Sequence, residues 1–202
     1  MEFLFRLIFD GRIPFMSFIR KLLYVLAFSP LVFLIFYYNH YKDFASYGWG
    51  MLVAVMLIRP LADVFTDLRI LRTLVSLRRQ FGIFTGFLLL SHAVGFFVSN
   101  QISFLAPLSD SNFWDFSGYI SWGLLGIIAA IPVLITSNNF FIRILKSRWK
   151  TLQRLTYLLF IFGGIHIYML RGRTDVLVHI GIVAFFWVLA LFGVKIKMNY
   201  RK

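Results

Sequence analysis

Two histidines, His92 and His166, stand inside apolar stretches that carry no charged residue, 80–109 and 155–170. An imidazole kept at depth in an apolar segment is costly and marks a functional position. Its unprotonated nitrogen is a good metal ligand. If the first stretch is a helix entering at Gln80 and the second one entering at Arg154, each histidine lies 12 residues in, about 18 Å along a helix axis. Two imidazoles at one depth on parallel helices can face each other across a flat ligand, as the axial ligands of a b-type heme do. The alternative is a pair of buried imidazoles bonded to neighbouring helices. Small residues beside the pair, Ser91, Ala93, Gly95, Gly163 and Gly164, give room for a planar cofactor or let helices approach. Gly82 and Gly86 form a G-x-x-x-G better read as helix packing.

The other two histidines have weaker settings. His40 lies in YYNHYK, an interfacial sequence, and His179 follows Asp175 by four residues, about one helical turn. The latter is a candidate partner of a ligand or an alternative ligand. Arg171 and Arg173, close to the outer end of the His166 segment, are candidates to hold heme propionates.

The elements that must position these residues follow from composition. The chain has 202 residues, is 60% hydrophobic and 14% charged, and has a mean hydropathy of +0.81. A soluble domain of this size could not bury that much apolar surface. Crossing a bilayer takes about 20 apolar residues in a helix, and six such spans fit, at about 22–41, 44–62, 80–105, 117–137, 152–170 and 176–194. The expected fold is therefore all-α, one integral membrane domain of six transmembrane helices over residues 1–202, with the heme between spans three and five. Residues 1–18 read as an amphipathic segment on the membrane surface, or equally as a loose apolar terminus. The connection 59–79 is too short to bury a core of its own.

The basic residues set the orientation. Arg6, Arg12, Arg20 and Lys21, then Arg59 to Arg79, then Arg143 to Arg154, then Lys195 to Lys202 alternate with nearly uncharged loops. Cytoplasmic loops carry that excess, so both termini are expected inside. A net charge of +13 then reflects topology and anionic lipid, and no nucleic-acid partner is implied. Cysteine is absent, which excludes disulfides and iron–sulfur ligation by this chain. No G-x-G-x-x-G or Walker motif offers a nucleotide site, and no H-E-x-x-H offers a zincin. All eight carboxylates fall at span ends or in loops, which argues against an ion-coupled transporter. Heme-mediated electron transfer asks least of what is missing.

The run IRPLADVFTDLRILRTLVSLRRQFGIFTGFLLLSHAVGFF resembles the ferric-reductase-like transmembrane proteins, and within them the MsrQ (YedZ) type of bacterial heme-binding membrane subunit. Pro60, Leu61, Arg78, Arg79, Gly82 and His92 carry the likeness. In ITSNNFFIRILKSRWKTLQRLTYLLFIFGGIHIYML it rests on Thr136, Ser137, Arg148, Trp149, Leu152, Tyr157, Leu158 and His166. Where those relatives have an inner histidine after the leucine, this chain has Gln153, so only His92 and His166 carry over as ligands of the heme iron. The resemblance implies a bacterial inner-membrane protein, the redox subunit of an oxidoreductase system. It would pass electrons from a cytoplasmic flavin reductase or a quinol to a periplasmic, molybdopterin-dependent methionine-sulfoxide reductase. A ferric reductase and a heme-free membrane scaffold or assembly protein are the alternatives. At the inner end, Arg78, Arg79, Lys150 and Arg154 are candidates to hold FMN or a quinone, or serve simply as topology signals.

Overall fold

The structure is a computed structural model and describes residues 13–197. The expected amphipathic segment lies for its first twelve residues outside the described part.

Helix α1 (Met16–Leu26) and helix α2 (Ser29–Tyr37) divide what reads as one span. Pro30 has no N–H to offer the Leu26 carbonyl four residues back, so the ladder stops there and restarts with proline in the first turn of α2. A 3-10 turn, Tyr38–His40, leads into α3 (Tyr41–Val64). Then come α4 (Arg69–Ser99), the one-turn α5 (Ala106–Ser109), a second 3-10 turn (Ser111–Trp114) and α6 (Tyr119–Ile135). Short α7 (Asn139–Leu145) and α8 (Ser147–Gln153) precede α9 (Leu155–Arg171) and α10 (Asp175–Leu191). Gly172, at φ +59°, ends α9 in the left-handed conformation that glycine adopts without strain.

Helix α4 begins well before the expected Gln80, and the connection read as 59–79 shrinks to residues 65–68. The arginines of this stretch do not make a loop. They ride on helix surfaces, because an exposed or snorkelling guanidinium is compatible with an unbroken ladder.

Contacts fix the sense of each helix. Phe28 rings against Phe87 at 4.8 Å, and Leu34 and Tyr38 close on Gly95, so α2 runs with α4. Helix α3 returns against α4, with Tyr41 beside His92, Gly48 beside Leu88 and Leu89, and Arg78 on the Val55 carbonyl. Helix α6 opposes α4 through Gly86 with Leu134 and Arg79 with Ser137. Helix α9 opposes α6 from Gln153 near Val133 to His166 near Tyr119. Helix α10 opposes α9 through Ile180 near Gly164 and Trp187 near Tyr157. Thus α2, α4 and α9 point one way and α3, α6 and α10 the other, and the two histidine-bearing helices are parallel.

By length and composition, Met16–Val64 and Arg69–Ser99 are able to cross a membrane, and Tyr119–Ile135 with Asn139–Leu145, bent by 91°, passes as a third candidate. The core joins α3, α6, α9 and α10 around Trp49, Leu52, Met56, Ala129, Ala130, Leu159, Phe160, Val176 and Val183. Large apolar side chains such as Ile35, Phe36, Phe185 and Leu191 face outward, as suits a bundle solvated by lipid.

Candidate functional site

The structure brings His92 and His166 together, with ring centroids 6.2 Å apart and planes at 62°. The helices that carry them are not a packed pair. Helix α4 packs on α3, and α9 packs on α6. The two rings meet although their helices pack mainly on other partners.

The same device orients both rings. Nδ1–H of His92 donates to the carbonyl of Tyr41 at 2.9 Å, and Nδ1–H of His166 donates to the carbonyl of Tyr119 at 2.8 Å. Each tyrosine is the first residue of the helix antiparallel to its histidine's own. A carbonyl can only accept, so both neutral imidazoles keep their proton on Nδ1 and present the Nε2 lone pair. Carbonyl-bonded imidazoles of this kind are how histidine ligands are usually held on a metal. The tyrosine rings add to the fixation: Tyr41 stacks on His92 at 5.8 Å, and Tyr119 meets His166 edge-on at 5.7 Å.

Two glycines make these contacts possible. A Cβ on Gly123 would stand 2.7 Å from Nδ1 and 2.9 Å from Cε1 of His166. One on Gly95 would stand 2.6 Å from Cβ of Tyr41 and 3.0 Å from the Tyr38 carbonyl. Of the two readings of the other small residues, room for a cofactor or helix approach, Gly163 and Gly164 fit helix approach. Gly163 and Gly164 receive Trp49, Gly164 also receives Ile180, and Ser91 is fully buried. The G-x-x-x-G reading holds only at Gly86, which faces Leu134. Gly82 has nothing within 4 Å of where its Cβ would be.

The donor set fits an axially ligated heme. Two imidazole–metal bonds of about 2 Å each, added to the half-widths of two rings, separate ring centroids by about 6 Å. The observed spacing is 6.2 Å, with both Nε2 atoms unprotonated and the carrying helices parted. Among the described residues no group of three or more His, Cys, Asp or Glu could hold a metal by itself.

His179 stands apart. Its Nδ1 accepts from the indole N–H of Trp49 at 3.2 Å, so the neutral ring carries its proton on Nε2 and has no lone pair left for a metal. His40 is exposed and pairs with Asp43 at 3.1 Å. Arg173 is committed to Asp175 through both its Nε, at 3.0 Å, and a terminal nitrogen, and the Arg171 side chain lies outside the described residues.

At the other end the four basic candidates are not one cluster. Arg78 donates to the Val55 carbonyl of α3, whereas Arg79 turns to α6 and α7, donating to the Ser137 carbonyl and to Asn139 Oδ1 at 3.0 and 2.7 Å. Lys150 lies in α8 and Arg154 follows it. Gln153 is tied down as well: its Nε2 lies 3.3 Å from the Val133 carbonyl and 3.4 Å from the Thr136 and Ser137 hydroxyls. With Trp149, which donates to the Thr136 carbonyl at 2.9 Å, these side chains cover the C-terminal carbonyls that α6 leaves unpaired.

The positioning residues Tyr41, Tyr119 and Gly123 escape sequence reading. A backbone acceptor can come from any residue type, and the one visible signal is a glycine one turn into α6.

Comparison with known proteins identifies the family. Residues 44–164 match the family model described as "Ferric reductase like transmembrane component". Among curated proteins, the chain is similar to the protein-methionine-sulfoxide reductase heme-binding subunit MsrQ of Agrobacterium fabrum, 31% identical over 66% of this chain and 61% of that one. The MsrQ of Brucella anthropi is 29% identical over 60% of this chain and 53% of its own length, and that of Rhizobium meliloti 29% over 73% and 70%. The chain thus spans between half and two thirds of the first two relatives. No solved structure matches. With the match covering more than half of its length, the chain belongs to the ferric reductase like transmembrane component family.

Proposed function

We propose that this protein is a heme b-binding electron-transfer subunit of a bacterial inner membrane, crossing it six times with both ends in the cytoplasm. It carries electrons from a cytoplasmic flavin reductase or a membrane quinol to a periplasmic, molybdopterin-dependent methionine-sulfoxide reductase. The observation that carries the reading is the His92–His166 pair: two imidazoles 6.2 Å apart, each with Nδ1–H on a backbone carbonyl. The names of the relatives, heme-binding subunits of a methionine-sulfoxide reductase, support the cofactor and the acceptor.

In this reading His92 and His166 would hold the heme iron through their Nε2 atoms, and the heme would supply reversible one-electron carriage. The Tyr41 and Tyr119 carbonyls keep each Nδ1 protonated and so keep each Nε2 basic and aimed. Gly123 lets α6 come close enough for its first carbonyl to reach His166.

A visible spectrum of the detergent-purified protein tests this directly. A six-coordinate, low-spin b-type spectrum is expected, and His92→Ala and His166→Ala should each abolish it or reduce it at least several-fold. Full heme with an unchanged spectrum in both variants would rule out the ligand assignment. A protein with no heme at all would point to the scaffold alternative.

A further inference from the structure

At the end of the bundle opposite the histidine pair, a cleft of about 160 Å³ opens between α3, α4, α9 and α10. Its polar lining is Arg59, Asp63, Arg78 and Tyr157; Met56, Pro60, Trp187, Ala190 and Leu191 complete it. Both guanidiniums are held by Nε. Arg59 donates to Asp63 at 2.9 Å and Arg78 to the Val55 carbonyl at 3.2 Å. Their terminal nitrogens have no partner among the described residues. Two guanidiniums tethered through Nε leave their terminal N–H groups free for the oxygens of a phosphate. Tyr157 and Trp187, with ring centroids 6.4 Å apart, form a wall of the amphipathic kind found where membrane meets water. Beside them Met56, Ala190 and Leu191 offer an apolar edge.

We propose that this cleft binds the phosphodiester headgroup of an anionic membrane phospholipid, with its acyl chains along the apolar edge. Charge selects the class: two arginines and one aspartate leave a net charge of +1, matching the single negative charge of a phosphatidylglycerol-type lipid. A neutral quinone lacks the charge, and a flavin mononucleotide brings a larger negative charge than the cleft balances. The location agrees, because Arg69, Arg72, Arg148 and Lys150 crowd the same end of the bundle, and anionic lipids gather against such basic belts. Asp63 then has a defined part, fixing Arg59 while lowering the site's net charge.

The test is thermal unfolding of the full chain in detergent, stripped of lipid, during titration with dioctanoyl phosphatidylglycerol, dioctanoyl phosphatidylcholine, inorganic phosphate or decylubiquinone. Phosphatidylglycerol should raise the unfolding temperature saturably. Phosphatidylcholine should need a higher concentration, and phosphate and the quinone should have no saturable effect. Arg59→Gln should raise the half-saturating phosphatidylglycerol concentration by about fivefold or more, since a charge-assisted contact is lost. Asp63→Asn should lower it. Equal action of phosphatidylcholine or of the quinone, or an unchanged midpoint in Arg59→Gln, would overturn the assignment. The lipid-dependent shift is read within one preparation at fixed heme content, so failure of the heme reading leaves this test intact.

Discussion

At the scale of single residues, the histidine site depends on atoms that belong to no catalytic side chain. The Tyr119 carbonyl lies 2.8 Å from His166 Nδ1, and only the missing Cβ of Gly123 lets α6 sit close to that ring. Gly123→Ala would place a methyl 2.7 Å from Nδ1, closer than van der Waals contact allows, so the ring must leave its carbonyl or the helix must move. We expect bound heme to fall at least twofold and the remaining spectrum to gain high-spin character. Gly82→Ala is the matched comparison, because its Cβ would meet nothing within 4 Å. There the gain in helix propensity should leave stability unchanged or raised by about 0.5–1 kcal/mol. Visible spectra and thermal unfolding of the two variants check both outcomes. Should Gly123→Ala bind heme as the parent does, the close approach would have no part in ligand positioning.

At the scale of elements, the bend between α6 and α7 is where several helices are tied together. Arg79 from α4, Trp149 and Gln153 from α8 all bond to the last carbonyls of α6 or their neighbours. The Thr136 and Ser137 hydroxyls turn back to the Pro132 and Val133 carbonyls, each at 2.6 Å. Arg79→Gln removes a fork that serves Ser137 and Asn139 at once. Because that fork is partly exposed, the expected cost is about 1 kcal/mol, with the heme spectrum unchanged since the histidines lie at the opposite end. A lowered unfolding temperature with an intact Soret band is the result to look for.

Much of this level could be read from the sequence. Apolar gaps between charges mark where helices run, and the pairing of His92 with His166 is met, though the rings stand at 62° and the helix carrying His92 begins at Arg69 rather than at Gln80. What escaped was of two kinds. Pro30 splits the first span, and whether a proline breaks a helix or is carried within it, as Pro60 and Pro132 are inside α3 and α6, is settled by packing. The division of Arg78 from Arg79 was also hidden. Adjacent residues on a helix point about 100° apart, so neighbours in sequence serve different partner helices.

At the scale of the whole molecule, the asymmetry between the two ends yields the last predictions. Fusions at the N-terminus, near residue 145 and at the C-terminus should report cytoplasm and one near residue 110 the outside, because the loop holding Asp110 and Asp115 has no Lys or Arg. Given that orientation, the paired imidazoles lie toward the outer face. The inner end has Gln153, thirteen residues and about 20 Å of helix away from His166. An amide offers no strong axial ligand, and this one is already engaged with Val133, Thr136 and Ser137. The unmodified protein should therefore carry about one heme per chain, and its electron supply from the cytoplasm needs a second carrier to cover the remaining depth. Gln153→His puts an imidazole at the position where the resemblance implies an inner ligand. A rise toward two hemes per chain, measured by pyridine hemochrome against protein mass, would show an inner site that lacks only its ligand. Two hemes in the unmodified protein would mean that a residue other than histidine ligates an inner iron, and the one-site description would fall.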